Sequence, residues 1–203
     1  ENRYFNVDTQ EGELITEEYM SGMPENTELW WRVRYRDKEL NWSDWSDEAA
    51  FSTGASSMSE NLLENPGAEQ GMSVWVIDQG VCEAMLAGDC AGTNPHSGEY
   101  YFCVGGLCTE SAVAIMHQDI DVTSYSDSID LGVLNVNFGA MMSDWSGSDL
   151  PEMRLRFLTI GGVEIGTTDY YDGPYTSWTL VGDNLEVPAL TRTIRCELKG
   201  TRN

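Results

Sequence analysis

"WWRVRYRDKELNWSDWSDEAAFSTG", residues 30–54, sets arginines at 32, 34 and 36 and tryptophans at 42 and 45. Charged and apolar residues that alternate with period two read as a β-strand, because side chains at i, i+2 and i+4 share a face. Arg32, Arg34 and Arg36 then project from one side, and Trp31, Val33 and Tyr35 point into a core. The guanidinium planes are free to interleave with the indoles of Trp42 and Trp45, at about 0.5–2 kcal/mol per contact. The expectation is a ladder that stiffens a β module and carries no catalytic group.

The same period recurs along the chain. "RYFNVDT", "SVWVID", "YYFCVGG", "AVAIMHQDIDV", "VLNVNFGAMM", "MRLRFLTIGG", "SWTLVG" and "RTIRCELKG" are short β-type runs separated by Gly, Pro, Asn, Asp and Ser. No segment keeps a helical apolar stripe for three turns; "VTSYSDSID" suits one helical turn. The fold class is therefore all-β. Small polar residues around 55–60, within "STGASSMSE", read as a linker, dividing the chain into 1–54 and 61–203.

Charge narrows the partners. The 203 residues carry 34 acidic and 11 basic side chains, a formal net charge of −23. Such a surface repels phosphate backbones and anionic lipid heads, so nucleic acid is not an expected partner. No apolar run is long enough to span a membrane, so membrane insertion is not expected either. Hard cations such as Ca²⁺ suit it, since carboxylates and carbonyl oxygens are their ligands. The chain opens on "ENRYFNVDTQ", which already reads as a strand, and the expectation is a piece of a longer secreted protein.

Five cysteines stand at 82, 90, 103, 108 and 196. They lack the paired C-x₂-C spacing of a zinc site, and a disulfide framework in an oxidising compartment is the expected reading for Cys82, Cys90, Cys103 and Cys108. Three pairings stay open; one joins Cys103 to Cys108 across Val-Gly-Gly-Leu, with Cys82 to Cys90 as its partner bridge. Cys196 is left over, either buried and free or paired outside the chain.

With the arginine alternation and "WSDWS" in view, residues 1–54 resemble the closing strands of a fibronectin type III domain, whose W-S-x-W-S box is best known from cytokine receptors. Leu29 stands where that family carries a corner tyrosine. A seven-stranded sandwich of this class takes about 100 residues, so the resemblance implies a partial β-sandwich, a spacer rather than a receptor surface.

"NLLENPGAEQGMSVWVIDQG" (61–80), followed by "HSGEYYFCVGG" and "QDIDVTSYSDSIDLG", resembles galactose-binding-like jelly rolls, common among carbohydrate-binding modules. This resemblance implies a second β-sandwich, a jelly roll over 61–203 lacking the family's aspartate-containing last strand. It also implies a structural Ca²⁺ at Glu69, Gly71 and Ser97, and glycans as partners. For a sugar, an exposed aromatic beside polar groups is needed. "DWSGSD" offers Trp145 with Asp144 and Asp149, and "DYYDGPYTSW" offers Tyr170, Tyr171 and Tyr175; Trp178, in the strand-like "SWTLV", is expected to fill the core.

His96 and His117 are the only histidines and neither sits in a nucleophile motif, so no enzyme is expected. The leading expectation is a secreted, non-catalytic glycan-binding jelly roll carried beside a fibronectin type III spacer. The alternative from another class is a structural subunit of an extracellular filament, sheath or adhesin, in which both domains contact other extracellular proteins or further copies of the chain.

Overall fold

The computed structural model describes residues 24, 27–35, 37, 39, 41–53, 58–144, 148–172 and 176–203. The chain forms two compact units, Glu1–Glu60 and Asn61–Asn203. The N-terminal run "RYFNVDT", Arg36, linker residues 55–57, Trp145 and Tyr175 lie outside the described residues.

In the first unit β1 (Glu28–Trp31) pairs antiparallel with β2 (Ala49–Ser52), Trp31 opposite Ala49. Past Trp31 the two serines of "WSDWS" replace the regular ladder. Ser46 Oγ accepts from Val33 N at 3.0 Å, and Ser43 Oγ accepts from Tyr35 N at 3.1 Å. Their own amides donate to the carbonyls of Val33 and Tyr35, at 2.8 and 2.9 Å. A hydroxyl that accepts where a strand carbonyl would do so keeps the backbone extended without a paired strand.

One expectation fails here. Trp31, Val33 and Tyr35 are 51%, 53% and 73% exposed. Among the described residues this unit holds a single two-stranded ribbon, and one layer has nothing against which to bury its second face.

The second unit is a β-sandwich. Its strands are β3 (Val76–Gln79), β4 (Cys82–Leu86), β5 (Tyr100–Val104), β6 (Val113–Asp121), β7 (Asn135–Met142), β8 (Leu150–Leu158), β9 (Glu164–Thr167), β10 (Tyr171–Asp172), β11 (Thr179–Glu186) and β12 (Thr193–Thr201). Between β6 and β7 the expected helical turn is present, as α1 (Ser126–Asp130) entered through a 3-10 turn. One sheet runs β10-β8-β12-β6-β3, with β9 also on β8, and all its pairs are antiparallel. The hairpin β4-β5 and the antiparallel pair β7-β11 supply the opposing layer.

Alternation decides what each face of the large sheet carries. Met153, Leu155 and Phe157 of β8, Ile194 and Cys196 of β12, and Ala114 and Met116 of β6 turn inward and are buried. Most of them join one cluster with Trp75, Cys82, Val122, Ile129 and Val187, against which Phe102, Val104, Val136 and Phe138 pack. Each fully buried side chain of this size contributes about 1.5–3 kcal/mol. Gln118, the polar exception on the inner face of β6, has both ends of its amide bonded to the Glu64 backbone, at 2.8 and 2.9 Å.

The disulfide is Cys90–Cys108, with Cα atoms 5.4 Å apart, which corrects the pairing of Cys103 with Cys108 and of Cys82 with Cys90. Cys82, Cys103 and Cys196 are free thiols. For Cys82 the reason is strand geometry. On β4-β5, Cys82 stands opposite Val104 and Cys103 opposite Glu83, so Cys82 points to the core face, away from the exposed turn that carries Cys90. Cys82 goes into the core, where burial raises its thiol to about 11; Cys196 does the same and is raised to about 12.

Trp178 is a second correction. It precedes β11 and lies half-buried outside the core cluster, its Nε1 donating to Asn94 O at 2.9 Å. Its ring meets Tyr101 and His96 edge-on at 6.0 and 6.3 Å. Most of β11 is exposed, because on the face away from β8 and β12 no described strand covers it.

Candidate functional site

The outer face of the large sheet carries a grid of charges. β8 presents Glu152, Arg154 and Arg156, β12 presents Arg195, Glu197 and Lys199, and β6 presents His117 and Asp119. Register sets Glu152 opposite Lys199, Arg154 opposite Glu197, Glu197 opposite His117, and Arg195 opposite Asp119. Of the 11 basic residues in the chain, four stand on this face, so the concentration of cations is a property of the site and not of the average surface.

Glu197 is the hub and is only 3% exposed. Arg154 Nε donates to its Oε1 at 2.7 Å, Tyr170 OH to the same oxygen at 2.5 Å, and Arg156 Nη1 to its Oε2 at 3.3 Å. Burial pushes the Glu197 carboxyl up, but the hydrogen bonds from Arg154 and Tyr170 and the two guanidinium charges outweigh it, and it sits below its ordinary value. Burial and the bond to Glu197 push the Tyr170 phenol well above its ordinary value, which fixes it as a donor.

Around this hub the remaining charges are also partnered. Lys199 Nζ lies 2.6 Å from Glu152 Oε2, which also accepts from Thr201 Oγ1 at 3.0 Å; Glu152 is 5% exposed. Arg156 and Arg195 face each other in register, a like-charge pair that costs stability unless offset. Glu164 offsets the first at 2.6 Å, and Asp119 offsets the second with two bonds of 2.6 and 2.8 Å. Those bonds hold the Asp119 carboxyl below its usual range. At the β3 edge, Asp78 lies at the register shift between Ile77 and Gln79 and reaches His117 Nδ1 at 2.6 Å.

The aromatic loop residues expected as one site are divided between two places. Tyr170 lies over the grid, with Arg154 Cζ 4.5 Å and Lys199 Nζ 4.7 Å from its ring centre. Tyr171, one residue on, turns the other way: its hydroxyl donates to Asp183 at 2.9 Å and its ring packs edge-on against Phe138. Tyr171 closes the sandwich edge beside β11. Asp149 accepts from Asn203 N at 3.2 Å at the Glu152–Thr201 end of the same sheet, and Asp144 is partly buried beyond the end of β7. Trp145 and Tyr175 lie outside the described residues.

Two of the three expected calcium residues, Glu69 and Gly71, do separate work. Glu69 Oε1 accepts from Glu99 N and Tyr100 N at 3.0 and 3.1 Å, capping the turn that leads into β5. A Cβ at Gly98 (φ +72) would collide with that oxygen. The Gly71 carbonyl accepts from Asn65 Nδ2 at 2.9 Å. Among the described residues no three His, Cys, Asp or Glu side chains cluster at ligand spacing. A shell of about 6–8 oxygens would draw one carboxylate from this set, and one of its two oxygens, Oε1, accepts the two backbone amides.

In the first unit Arg34 Cζ stands 4.1 Å from the Trp42 ring centre and 4.4 Å from that of Trp45, with Arg32 Cζ 4.6 Å from Trp45. Arg36, the third arginine of the expected ladder, is outside the described residues.

Sequence reading missed the grid itself, although its signal is present as Glu152-x-Arg154-x-Arg156 and Arg195-x-Glu197-x-Lys199. Each triplet shows that one face of a strand is charged; neither shows that the two strands are neighbours.

No family model and no curated protein matches this sequence. Among solved structures, the chain is similar to the enzymatically active domain of bacteriophage CBA120 tailspike protein 4, with a TM-score of 0.53 and 13% identity over 70% of this chain. It spans 19% of that structure's length. A family 16 carbohydrate binding module matches with a TM-score of 0.42 and 17% identity, over 70% of this chain and 94% of that one. The C-terminal family 22 carbohydrate binding module of Clostridium thermocellum Xyn10B matches with a TM-score of 0.40 and 12% identity, over 66% and 81%. At such identity the tailspike likeness is one of fold, and the fold is the β-sandwich described above.

Proposed function

We propose that residues 61–203 are a non-catalytic carbohydrate-binding module whose binding surface is the outer face of the large sheet around Tyr170. The observation that carries this reading is the grid: planar guanidinium and carboxylate groups fixed at 2.6–3.3 Å from one another beside an aromatic ring. Sugar hydroxyls need donors and acceptors held in fixed directions, and locked ion pairs supply both without ordering cost at the moment of binding. Turnover fits the same groups poorly. A glycosidase acid needs a carboxyl raised towards neutrality, whereas Glu197 and Asp119 are both lowered, and the Tyr170 phenol is held protonated.

The one disulfide suits an oxidising, extracellular setting, and no described helix is long and apolar enough to cross a membrane. The arginine–tryptophan stack of the first unit supports a stiff fibronectin-type spacer. Calcium at Glu69, Gly71 and Ser97 is a further part of the proposal; with one carboxylate, millimolar affinity is the expected range, on the order of 10⁻⁴–10⁻³ M.

The test is polysaccharide binding by calorimetry on the full chain. Tyr170→Ala and Arg154→Ala are each expected to weaken binding at least about tenfold, which is about 1.4 kcal/mol, while Tyr171→Phe leaves it unchanged. Binding that survives Tyr170→Ala, or glycan turnover by the wild type, overturns the reading.

A further inference from the structure

The outer face of the β4-β5 hairpin, on the layer opposite the charged grid, holds chemistry that glycan recognition does not use. Cys103 is a free, half-buried thiol on this face, opposite Glu83 in register. Glu83 Oε2 accepts from Leu107 N at 2.9 Å and from Cys108 N at 3.3 Å. One carboxylate thus sits beside the Cys103 thiol and also holds the backbone of the disulfide-bonded Cys108. The segment returns over the hairpin through Gly106 (φ +69), where a Cβ would collide with Thr109 O. Arg202 secures it further, donating to Gly106 O at 3.0 Å and pairing with Glu110 at 3.1 Å.

Cys108 is therefore tied to the hairpin by bonds that do not involve its disulfide. Cys90 stands in the exposed 3-10 turn Asp89–Ala91 with left-handed backbone (φ +48), and its neighbour Asp89 reaches β4 through a bond from Leu86 N to Oδ2 at 3.1 Å. If the disulfide opens, Cys108 keeps its bond to Glu83, the register neighbour of Cys103, and Cys90, in the exposed turn, is the end that leaves.

We propose that Cys103, Cys108 and Cys90 form a thiol–disulfide exchange centre, in which Cys103 displaces Cys90 from Cys108. The Cys103 thiolate attacks Sγ of Cys108; the Cys103–Cys108 bond forms as the Cys90–Cys108 bond breaks. Cys90 leaves as a thiolate and takes up the proton that Cys103 gave to solvent. Electrons balance within the three sulfurs, with no external oxidant. The product removes the disulfide tether from the 87–98 segment, which supplies the carbonyl of Asn94 to Trp178 and sets His96 edge-on against that indole. Burial, and after it the charge of Glu83, raises the Cys103 thiol to about 11, so at neutral pH the Cys90–Cys108 form persists and exchange is slow. This centre is independent of the glycan-binding surface.

The experiment incubates the full native chain with a bulky maleimide, which captures any Cys90 thiol that is released, followed by acid quench and non-reducing peptide mapping. Labelled Cys90 together with linked Cys103–Cys108 is expected, at a rate rising about tenfold per pH unit from pH 7 to 9, as a thiolate nucleophile with a higher pKa requires. Cys103→Ser abolishes Cys90 labelling; Cys103→Ala serves if the serine variant loses its β signature in circular dichroism. Three results overturn the proposal: label on Cys103 with Cys90–Cys108 intact, Cys90 labelling at an unchanged rate in the Cys103 variants, or linkage to Cys82 or Cys196, which means global unfolding.

Discussion

Two extended segments of this protein carry an Arg-x-Arg pair, and the two pairs have opposite surroundings. Arg32 and Arg34 lie on exposed indoles, and Glu48, 3.7 Å from Arg32, has more than half its side chain in water. Arg154 and Arg156 converge on Glu197, which is almost fully enclosed. The same local pattern gives a peripheral stack in one unit and an interior-like ion network in the other. What differs is the neighbouring strand. β12 runs along the whole length of β8 and brings its own alternating charges into register, whereas beyond Trp31 the backbone of the first unit is held by serine hydroxyls.

The largest expected effect lies in the second unit. Glu197→Ala leaves Arg154, Arg156 and Tyr170 around an empty hub, and removing one partner of a buried network costs about 3–5 kcal/mol. Glu48→Ala in the first unit is expected to cost no more than about 0.5–1 kcal/mol, because exposed pairs are worth little. Urea unfolding of the full chain, followed by circular dichroism, measures both, and equal losses would break the comparison.

Next in size is Trp45→Ala, which removes the indole shared by Arg32 and Arg34. A loss of about 1–3 kcal/mol in the first unit is expected from two cation–π contacts and their burial. Arg34→Lys, which keeps the charge and loses the planar stack, is expected to recover only part of it.

Acid sharpens the contrast. The folded carboxyls of Glu197 and Asp119 are lowered, so their stabilisation is fully present above their unfolded values, near pH 4, and is lost as pH falls through the lower folded values. Melting temperature should therefore drop on going from pH 5 to pH 2. Glu197→Gln should flatten that slope, and an unchanged slope would show that the hub is not the acid-labile element.

Salt gives the smallest effect. Raising ionic strength to 1 M shortens the Debye length to about 3 Å and screens exposed charges. The Arg32–Glu48 contribution should vanish while that of Arg154–Glu197 persists, as double-mutant cycles at two salt concentrations would show.

Much of the β architecture was legible from period-two alternation, because a strand's two faces follow from its own backbone. "AVAIMHQDIDV" and "RTIRCELKG" read correctly as strands for this reason, and "VTSYSDSID" as a helical turn. Register and pairing were not legible. Cys82 and Cys90 stand close enough in sequence to invite a bridge, yet the pairing of β4 with β5 turns Cys82 into the core, and only that register reveals it. Tyr170 and Tyr171 looked like one aromatic patch until β10 paired with β8 and divided them.

By itself, the sequence determined the all-β character, the strongly acidic surface, and which residues on each strand share a face, since these depend on composition and on geometry within a few residues. Tertiary structure alone decided that Glu197 would be enclosed by Arg154, Arg156 and Tyr170, and that Cys90 would join Cys108. Those contacts join residues 18 to 43 positions apart, and their formation depends on which strands lie side by side, which the burial of the whole core selects.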